Sequence, residues 1–271
     1  MPELPEVETT RRGLAPLVEG RTIERVRLGR RQLRWPVAEQ LETLEGNTLR
    51  ALQRRAKWLI WRFDQGSLLW HLGMSGSFRA WDTPPAPGRH DHIDIAIRDG
   101  YTIRYTDPRR FGAVLWQPGD NPLAHPRLAG LGPEPLEDAF DGDWLWRNSR
   151  GRRGPVKQFI MNGAIVVGVG NIYAAEALFA AGIHPRRAAG RISRTRYRLL
   201  ARAIRETLGL AIEAGGTSLR DFTTGDGTPG YFGQELKVYG RAGQPCPACG
   251  RALTGAVIGQ RATVWCPHCQ R

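Results

Sequence analysis

The sequence predicts an α+β chain: an amphipathic helix at the N-terminus, a β-rich half, a helical segment and a small C-terminal ribbon. Three observations carry that reading. Between residues 22 and about 117 the apolar residues come in short runs cut by Gly, Asp or Asn, the punctuation of strands. From 156 to about 214 they return at helical spacing. All four cysteines lie in the last 26 residues, as two CxxC pairs. A length of 271 residues allows two domains or one large one.

Residues 3–18 read as the first helix. Leu4, Val7, Leu14 and Val18 share one stripe, and Gly20 stops it. TIERVRL, TLRALQ, KWLIWRF and SLLWHLG follow as strands. HIDIAIRDGYTIRYTD is a hairpin. A two-residue turn at Asp99-Gly100 would pair Ile97 with Thr102 and mix the faces. A three-residue loop, Arg98-Asp99-Gly100, pairs Ile97 with Tyr101, Ile95 with Ile103 and Ile93 with Tyr105. It yields one apolar face, with Gly100 expected in the left-handed conformation. Strands in this number suggest an antiparallel sandwich or a barrel.

Residues 118–155 are punctuated by Pro and Gly (QPGDNP, LGPEPLED, GRRGP). A linker is expected at 135–150, after an N-terminal domain over 1–134. VKQFIMN, NIYAAEALFAAG and SRTRYRLLARAIRETLGLAIEAG read as helices, the first two joined through GAIVVGVG. Two helices on a compact turn form a nucleic-acid-binding layout, and equally an ordinary helix packing. Residues 215–235 contain six glycines and no long apolar run, the composition of a long mobile loop. A second domain is therefore expected over 151–235 and a third over 236–271.

The formal net charge is +13. Such an excess points to a polyanionic partner, first of all nucleic acid. Of 39 basic residues only Lys57, Lys157 and Lys237 are lysine. Arginine stays protonated, whereas lysine can hand over a proton, which marks these three for attention. No stretch is long and apolar enough to span a membrane, and the N-terminus lacks a signal-peptide layout. A cytoplasmic location is expected.

Cys246-x2-Cys249 and Cys266-x2-Cys269 are separated by sixteen residues. Two such knuckles place four thiolates around one Zn²⁺. In a cytosolic chain this reading outweighs disulfides. Four protein ligands leave no open position, so one structural Zn²⁺ per chain is expected. ALTGAVIGQRATVWC reads as a hairpin with Gln260-Arg261 near its tip, where an arginine can enter a DNA groove.

The chain opens MPELPEVE. Removal of Met1 ahead of the small Pro2 would expose a secondary amine. An α-amino group titrates at about 7.7–8.0, so part of it is neutral near pH 7 and able to attack an aldehyde-like carbon. Glu3 stands beside it as acid or base.

MPELPEVETTRRGL, RRAKWL, HLGMSG, YTDPRRFG, LGPEPL, VVGVGNIYAAEALFAAGIHP, PGYFGQELKVYGR and the four-cysteine ribbon occur in this order along nearly the whole chain. Together they resemble formamidopyrimidine-DNA glycosylase, a bacterial base-excision enzyme for oxidised purines. The resemblance implies a two-layered β-sandwich, a helix-two-turn-helix domain and a zinc finger. It implies Pro2 as nucleophile, Glu3 as acid/base, Lys57 in β-elimination and Arg261 in δ-elimination. Met74, Arg109 and Phe111 match the triad that fills the gap left by a flipped base. His71, His90, Arg109, Arg152 and Asn171 match positions that grip DNA, Lys157 is placed near phosphate, and 215–235 matches the lid over the everted base. Partners are then double-stranded DNA carrying oxidised purines and no membrane, with a monomer acting at the nucleoid. One departure is plain: Asn162 stands where the family usually has Asp, which would alter the Pro2 amine if that carboxylate tunes it in relatives. Two rivals are an endonuclease VIII-like enzyme for oxidised pyrimidines and a non-catalytic zinc-ribbon protein that binds DNA damage.

Overall fold

The structure is a computed structural model and describes residues 2–215, 222–223 and 236–271. These fall into two compact units, 2–129 with 215 and 222–223, and 130–214 with 236–271.

The first unit begins with α1 (Leu4–Val18), whose Leu4, Val7, Leu14 and Val18 are all fully buried. Eight strands follow: β1 (Ile23–Leu28), β2 (Ala51–Arg55), β3 (Trp58–Phe63), β4 (Gly66–His71), β5 (Ser77–Trp81), β6 (Asp91–Ile97), β7 (Thr102–Thr106) and β8 (Ala113–Pro118). They form two antiparallel sheets, β2-β3-β4-β8 and β1-β6-β7-β5. Backbone of Phe222–Thr223, labelled β9, joins β5 in parallel. The choice between sandwich and barrel is settled as a sandwich. Trp61 and Trp70 of one sheet pack on Phe78 and Tyr105 of the other, with Trp70 centroids 4.9 Å from Phe78 and 5.2 Å from Tyr105.

The expected hairpin register holds. Ile93 pairs with Tyr105 and Ile95 with Ile103, and the Ile97 N–H donates to Tyr101 O at 3.0 Å. The left-handed residue, however, is Asp99 at φ 52°, not Gly100. Asp tolerates that region better than most side chains, so the loop turns one residue early.

The second unit is helical. After the short α2 (Pro126–Ala129) of the first unit come α3 (Gly142–Ser149), α4 (Val156–Ile160), α5 (Asn171–Ala180) and α6 (Arg194–Glu213). Residues 135–150 are not a bare linker. Asp141 caps α3 by accepting the Trp144 N–H at 2.6 Å, and Leu145 is fully buried in the same core as Leu200 and Ile204 of α6. The sequence hid this helix because its eight residues supply few apolar positions between Pro- and Gly-rich flanks. Residues 236–271 belong to this unit, and their hairpin is β10 (Thr254–Ile258) with β11 (Arg261–Trp265). No helix among the described residues is long and apolar enough to cross a membrane. The loop expected at 215–235 lies almost wholly outside the described residues.

Candidate functional site

In the first unit, Pro2 and Glu3 are buried at the start of α1. The Glu3 N–H donates to the Glu6 carboxylate at 2.8 Å, and the Glu3 side chain faces the Glu6 N–H in return. This reciprocal capping box satisfies helix-end donors and holds the Glu3 carboxyl at the chain terminus. Further along α1, Glu8 meets Arg11, Arg12 and Arg54. Burial works against its ionisation, but the three guanidiniums outweigh that and hold its carboxyl below the ordinary range.

Lys57 stands in the two-residue turn between β2 and β3, where Arg55 pairs with Trp58. Its neighbour Ala56 has φ 55°, a conformation L-residues adopt at a cost of roughly 1–2 kcal/mol. Arg54 counters that cost by donating to Ala56 O at 3.0 Å while its Nε reaches Glu8 at 3.0 Å. The helix carrying Glu3 and the turn carrying Lys57 are thus tied through Glu8 and Arg54, two residues the sequence reading missed. Nothing in RRAKWL distinguished the bracing arginine from its neighbours.

His71 closes β4. The Gly73 N–H donates to its Nδ1 at 2.9 Å, so the neutral ring carries its proton on Nε2. Burial, then the charges of Lys57 and Arg34, push the imidazole down to about 4 from 6.5. A histidine whose folded-state value is depressed contributes stability above its unfolded value and loses it as pH falls toward the folded one. Wild type is therefore expected to lose about 2–3 kcal/mol relative to His71→Gln between pH 6.5 and 4. Urea unfolding across that window measures it, and a constant gap would contradict the assignment.

Met74, Arg109 and Phe111 lie on two loops held by one carboxylate. Asp107 is fully buried. Its Oδ1 accepts from Ser75 Oγ at 2.6 Å, and its Oδ2 accepts from the Gly112 N–H at 2.8 Å and from Tyr105 Oη at 3.3 Å. Burial, then Asp107 itself, keeps the Tyr105 phenol well above its ordinary value and so protonated. The Arg109 N–H donates in turn to Ser75 Oγ at 3.1 Å, and the Asp107 N–H to His90 O at 3.0 Å. Arg110 takes φ 56°, which turns the chain so that the Arg109 guanidinium lies 4.9 Å over the Phe111 ring. Phe111 is 43% exposed, unusual for so large an apolar group. The loops approach closely because Gly73 (φ 68°) has no side chain; a Cβ there would stand 2.3 Å from the Phe111 carbonyl carbon. The structure therefore ties together the loops that carry Met74, His90, Arg109 and Phe111 through Asp107 and Ser75.

In the second unit, Lys157, Asn171 and Arg261 converge. Lys157 is buried, and its Nζ donates to Asn171 Oδ1 at 2.7 Å, Thr263 Oγ1 at 2.6 Å and Ala262 O at 3.2 Å. These contacts tie Lys157 to Asn171 and to the strand that begins at Arg261. Asn171 opens α5, and its Nδ2 donates to Ala262 O at 3.0 Å. Arg261 is exposed and pairs with Ile258 across the two-residue turn Gly259-Gln260, both residues at positive φ. The turn sits against Gln158 of α4, whose side chain leaves no room for a Cβ on Gly259. Arg152 is exposed, with its Nε donating to Asn148 O at 2.8 Å. Asn162 is exposed, and its Oδ1 accepts the Ala164 N–H at 3.0 Å, a turn that Asp would form equally.

Cys246, Cys249, Cys266 and Cys269 hold their Sγ atoms within 4.8 Å of one another and form no disulfide. Zn–S bonds of about 2.3 Å in a tetrahedron require sulfur separations of about 3.8 Å. The observed 4.0 Å (Cys246–Cys269) and 3.5 Å (Cys249–Cys266) fit that spacing. The Cys266 N–H donates to Gln270 Oε1 at 2.8 Å, which fixes the second knuckle. Glu176 of α5, also missed in the sequence, accepts the N–H groups of Lys237, Val238 and Tyr239 at 2.8–3.0 Å and anchors the chain entering the finger.

Three family models match: formamidopyrimidine-DNA glycosylase N-terminal domain over residues 1–114, formamidopyrimidine-DNA glycosylase H2TH domain over 131–223, and the zinc finger found in FPG and IleRS over 243–271. The formamidopyrimidine-DNA glycosylase of Stenotrophomonas maltophilia K279a is 60% identical over all of both chains. That of Alkalilimnicola ehrlichii is 59% identical, again over the full length of both. Among solved structures, MutM (Fpg) of Thermus thermophilus superposes with TM-score 0.86 at 39% identity, covering 99% of this chain and 98% of its own. The Lactococcus lactis Fpg complex with abasic-site DNA superposes with TM-score 0.90 at 32% identity, covering 99% of each. Because the likeness runs from end to end, at identities that chance resemblance does not reach, the chain belongs to the formamidopyrimidine-DNA glycosylase family.

Proposed function

We propose that this chain is a base-excision-repair glycosylase that flips oxidised purines, 8-oxoguanine and formamidopyrimidines, out of duplex DNA, releases the base and then nicks the strand as a lyase. The observation that carries the reading is the Pro2-Glu3 terminus, buried and held by a capping box, in a chain 60% identical over its full length to a formamidopyrimidine-DNA glycosylase. The Lactococcus enzyme has been seen with abasic-site and Fapy-dG DNA, which supports damaged duplex as the partner.

In this reading the mature Pro2 nitrogen attacks C1′ as Glu3 assists opening of the sugar, and the base departs. The resulting iminium acidifies C2′. Loss of that proton, assigned to Lys57, expels the 3′ phosphate, and a second elimination assigned to Arg261 expels the 5′ phosphate. Flipping costs roughly a few kcal/mol; Met74 and Phe111 fill the vacated stack, and Arg109 offers a fork to the orphaned cytosine. His71, with its proton on Nε2, and Asn171 serve as phosphate donors, and His90 and Arg152 widen the grip. The enzyme works as a monomer in the cytoplasm, at the nucleoid.

Borohydride trapping tests the reading. The Zn-loaded protein should become covalently bound to duplex containing 8-oxoguanine opposite cytosine. No trapping with a mature N-terminus would favour the non-catalytic damage-binding protein. Preferential trapping on oxidised pyrimidines would favour the endonuclease VIII-like rival.

Lys157→Met tests the bracing role. It removes three charge-assisted contacts and should cost about 2 kcal/mol of stability. If Lys157 acts only as a brace, the salt slope of DNA binding should stay as in wild type; a slope smaller by about 1 would show Lys157 to be a direct phosphate contact.

A further inference from the structure

We propose that Arg34, Trp35 and Arg127 form an additional docking surface for the phosphate backbone of duplex DNA, alongside the loop that carries Phe111. The proposal rests on the DNA-glycosylase reading above and extends its footprint to residues that nothing in that reading uses. Arg127 lies in the stretch between the matched N-terminal and helical segments.

Arg34 and Trp35 sit beside the Phe111 loop. The Arg34 N–H donates to Gly112 O at 3.1 Å, and the Ala38 N–H donates to Val114 O at 3.0 Å. The segment around Trp35 is therefore bonded to the chain immediately after Phe111. Arg34 also stands near enough to His71 to help depress its imidazole, so its charge is felt on the same surface.

The Arg34 guanidinium lies 4.7 Å over the Trp35 ring and the Arg127 guanidinium 4.3 Å over the same ring. Both arginines are exposed and Trp35 is half-buried. Among the described residues neither arginine forms an ion pair. Their neighbour Arg31 shows the contrast, since Glu42 takes it in a two-pronged pair at 2.5 and 3.0 Å. Two like charges gathered on one indole with no carboxylate repel each other, and the ring's negative face offsets that only in part. A polyanion relieves the repulsion outright. A guanidinium held over a ring face makes no hydrogen bond there, and its planar fork of N–H donors matches phosphate oxygens. Because the ring already restricts both side chains, less freedom is lost when phosphate binds.

The test measures binding of full-length, Zn-loaded protein to a duplex carrying a tetrahydrofuran abasic-site analogue across a salt series. Arg34→Ala and Arg127→Ala should each reduce the slope of log affinity against log salt by about 0.9, and the double variant by about 1.8. Replacing both arginines with lysine should keep the wild-type slope but weaken binding at every salt concentration, because the charge remains and the stack is lost. Arg98→Ala, an exposed arginine on the far hairpin loop, should change neither. Borohydride trapping at saturating protein should match wild type in all variants. A double alanine variant with the wild-type slope overturns the proposal and leaves the enzymatic reading standing. A lysine pair that binds as tightly as wild type overturns the role of the indole. A wild type that neither binds nor traps overturns the functional reading, and this proposal with it.

Discussion

Glu3→Gln should slow release of 8-oxoguanine by about 10²–10⁴-fold, the range lost when a positioned acid/base is removed, while leaving the fold intact. The separation of the two effects follows from geometry. Glutamine keeps an oxygen that can face the Glu6 N–H, and the Glu3 backbone N–H still donates to Glu6 at 2.8 Å. The cap of α1 therefore survives, and with it the packing of Leu4, Val7 and Leu14. What is lost is the exchangeable proton. On DNA that already contains an abasic site, base departure is complete, so trapping by the variant should remain substantial. Pro2→Gly should show a different pattern. It leaves a primary amine without the ring that makes the iminium a tertiary, permanently charged centre, and trapping should fall on both substrates. Single-turnover base release and borohydride trapping, run side by side, distinguish these outcomes. Equal loss by Glu3→Gln on lesion and abasic DNA would contradict the assignment of Glu3 to base release.

Removal of zinc should abolish tight DNA binding without unfolding the β-sandwich. Structural Zn²⁺ contributes on the order of 10–16 kcal/mol in isolated finger peptides. Among the described residues a small apolar group backs the finger: Ala175, Val238, Leu253 and Val264 with the buried Cys246 and Cys266, and Phe179 and Tyr239 partly buried against them. Four uncompensated thiols cannot hold β10 and β11 in register by themselves. Arg261 then loses its fixed place at the turn, and Lys157 loses Thr263 and Ala262 as acceptors, leaving a buried ammonium short of partners. Chelation, or Cys266→Ser, should open residues 243–271 to protease, while tryptophan fluorescence from Trp61 and Trp70 in the sandwich stays native. Zinc added back to the chelated wild type should restore binding. A chelated protein that keeps full affinity and protease resistance would show that the finger is held by something other than the metal.

Much of the architecture was legible because local rules agreed with global ones. The stripe Leu4–Val7–Leu14–Val18, the isoleucine alternation at 93–97 and the CxxC spacing each answer to a periodicity or a coordination geometry that needs no knowledge of neighbours. The missed helix over Gly142–Ser149 lacked that advantage: Leu145 is buried only because α6 covers it. Met74, Arg109 and Phe111 were marked through motif resemblance rather than through physics, since a surface phenylalanine or arginine taken alone carries no mark of purpose.

By itself the sequence determined the strand-rich and helical halves, the four-thiol metal site, the basic character and the pairing of a proline terminus with an adjacent carboxyl. These depend on residue identity and spacing along the chain. Only the tertiary structure decided that Lys157 meets Asn171 and Thr263, that Arg54 and Glu8 tie the Lys57 turn to α1, that Asp107 joins Ser75 to Gly112, and that Arg34 and Arg127 share one indole. The physical reason is common to all four. A side chain's role depends on which donors and acceptors it meets after the chain has folded, and those partners lie between 14 and 106 residues away for Lys157 and 46 for Arg54, beyond the reach of any local pattern.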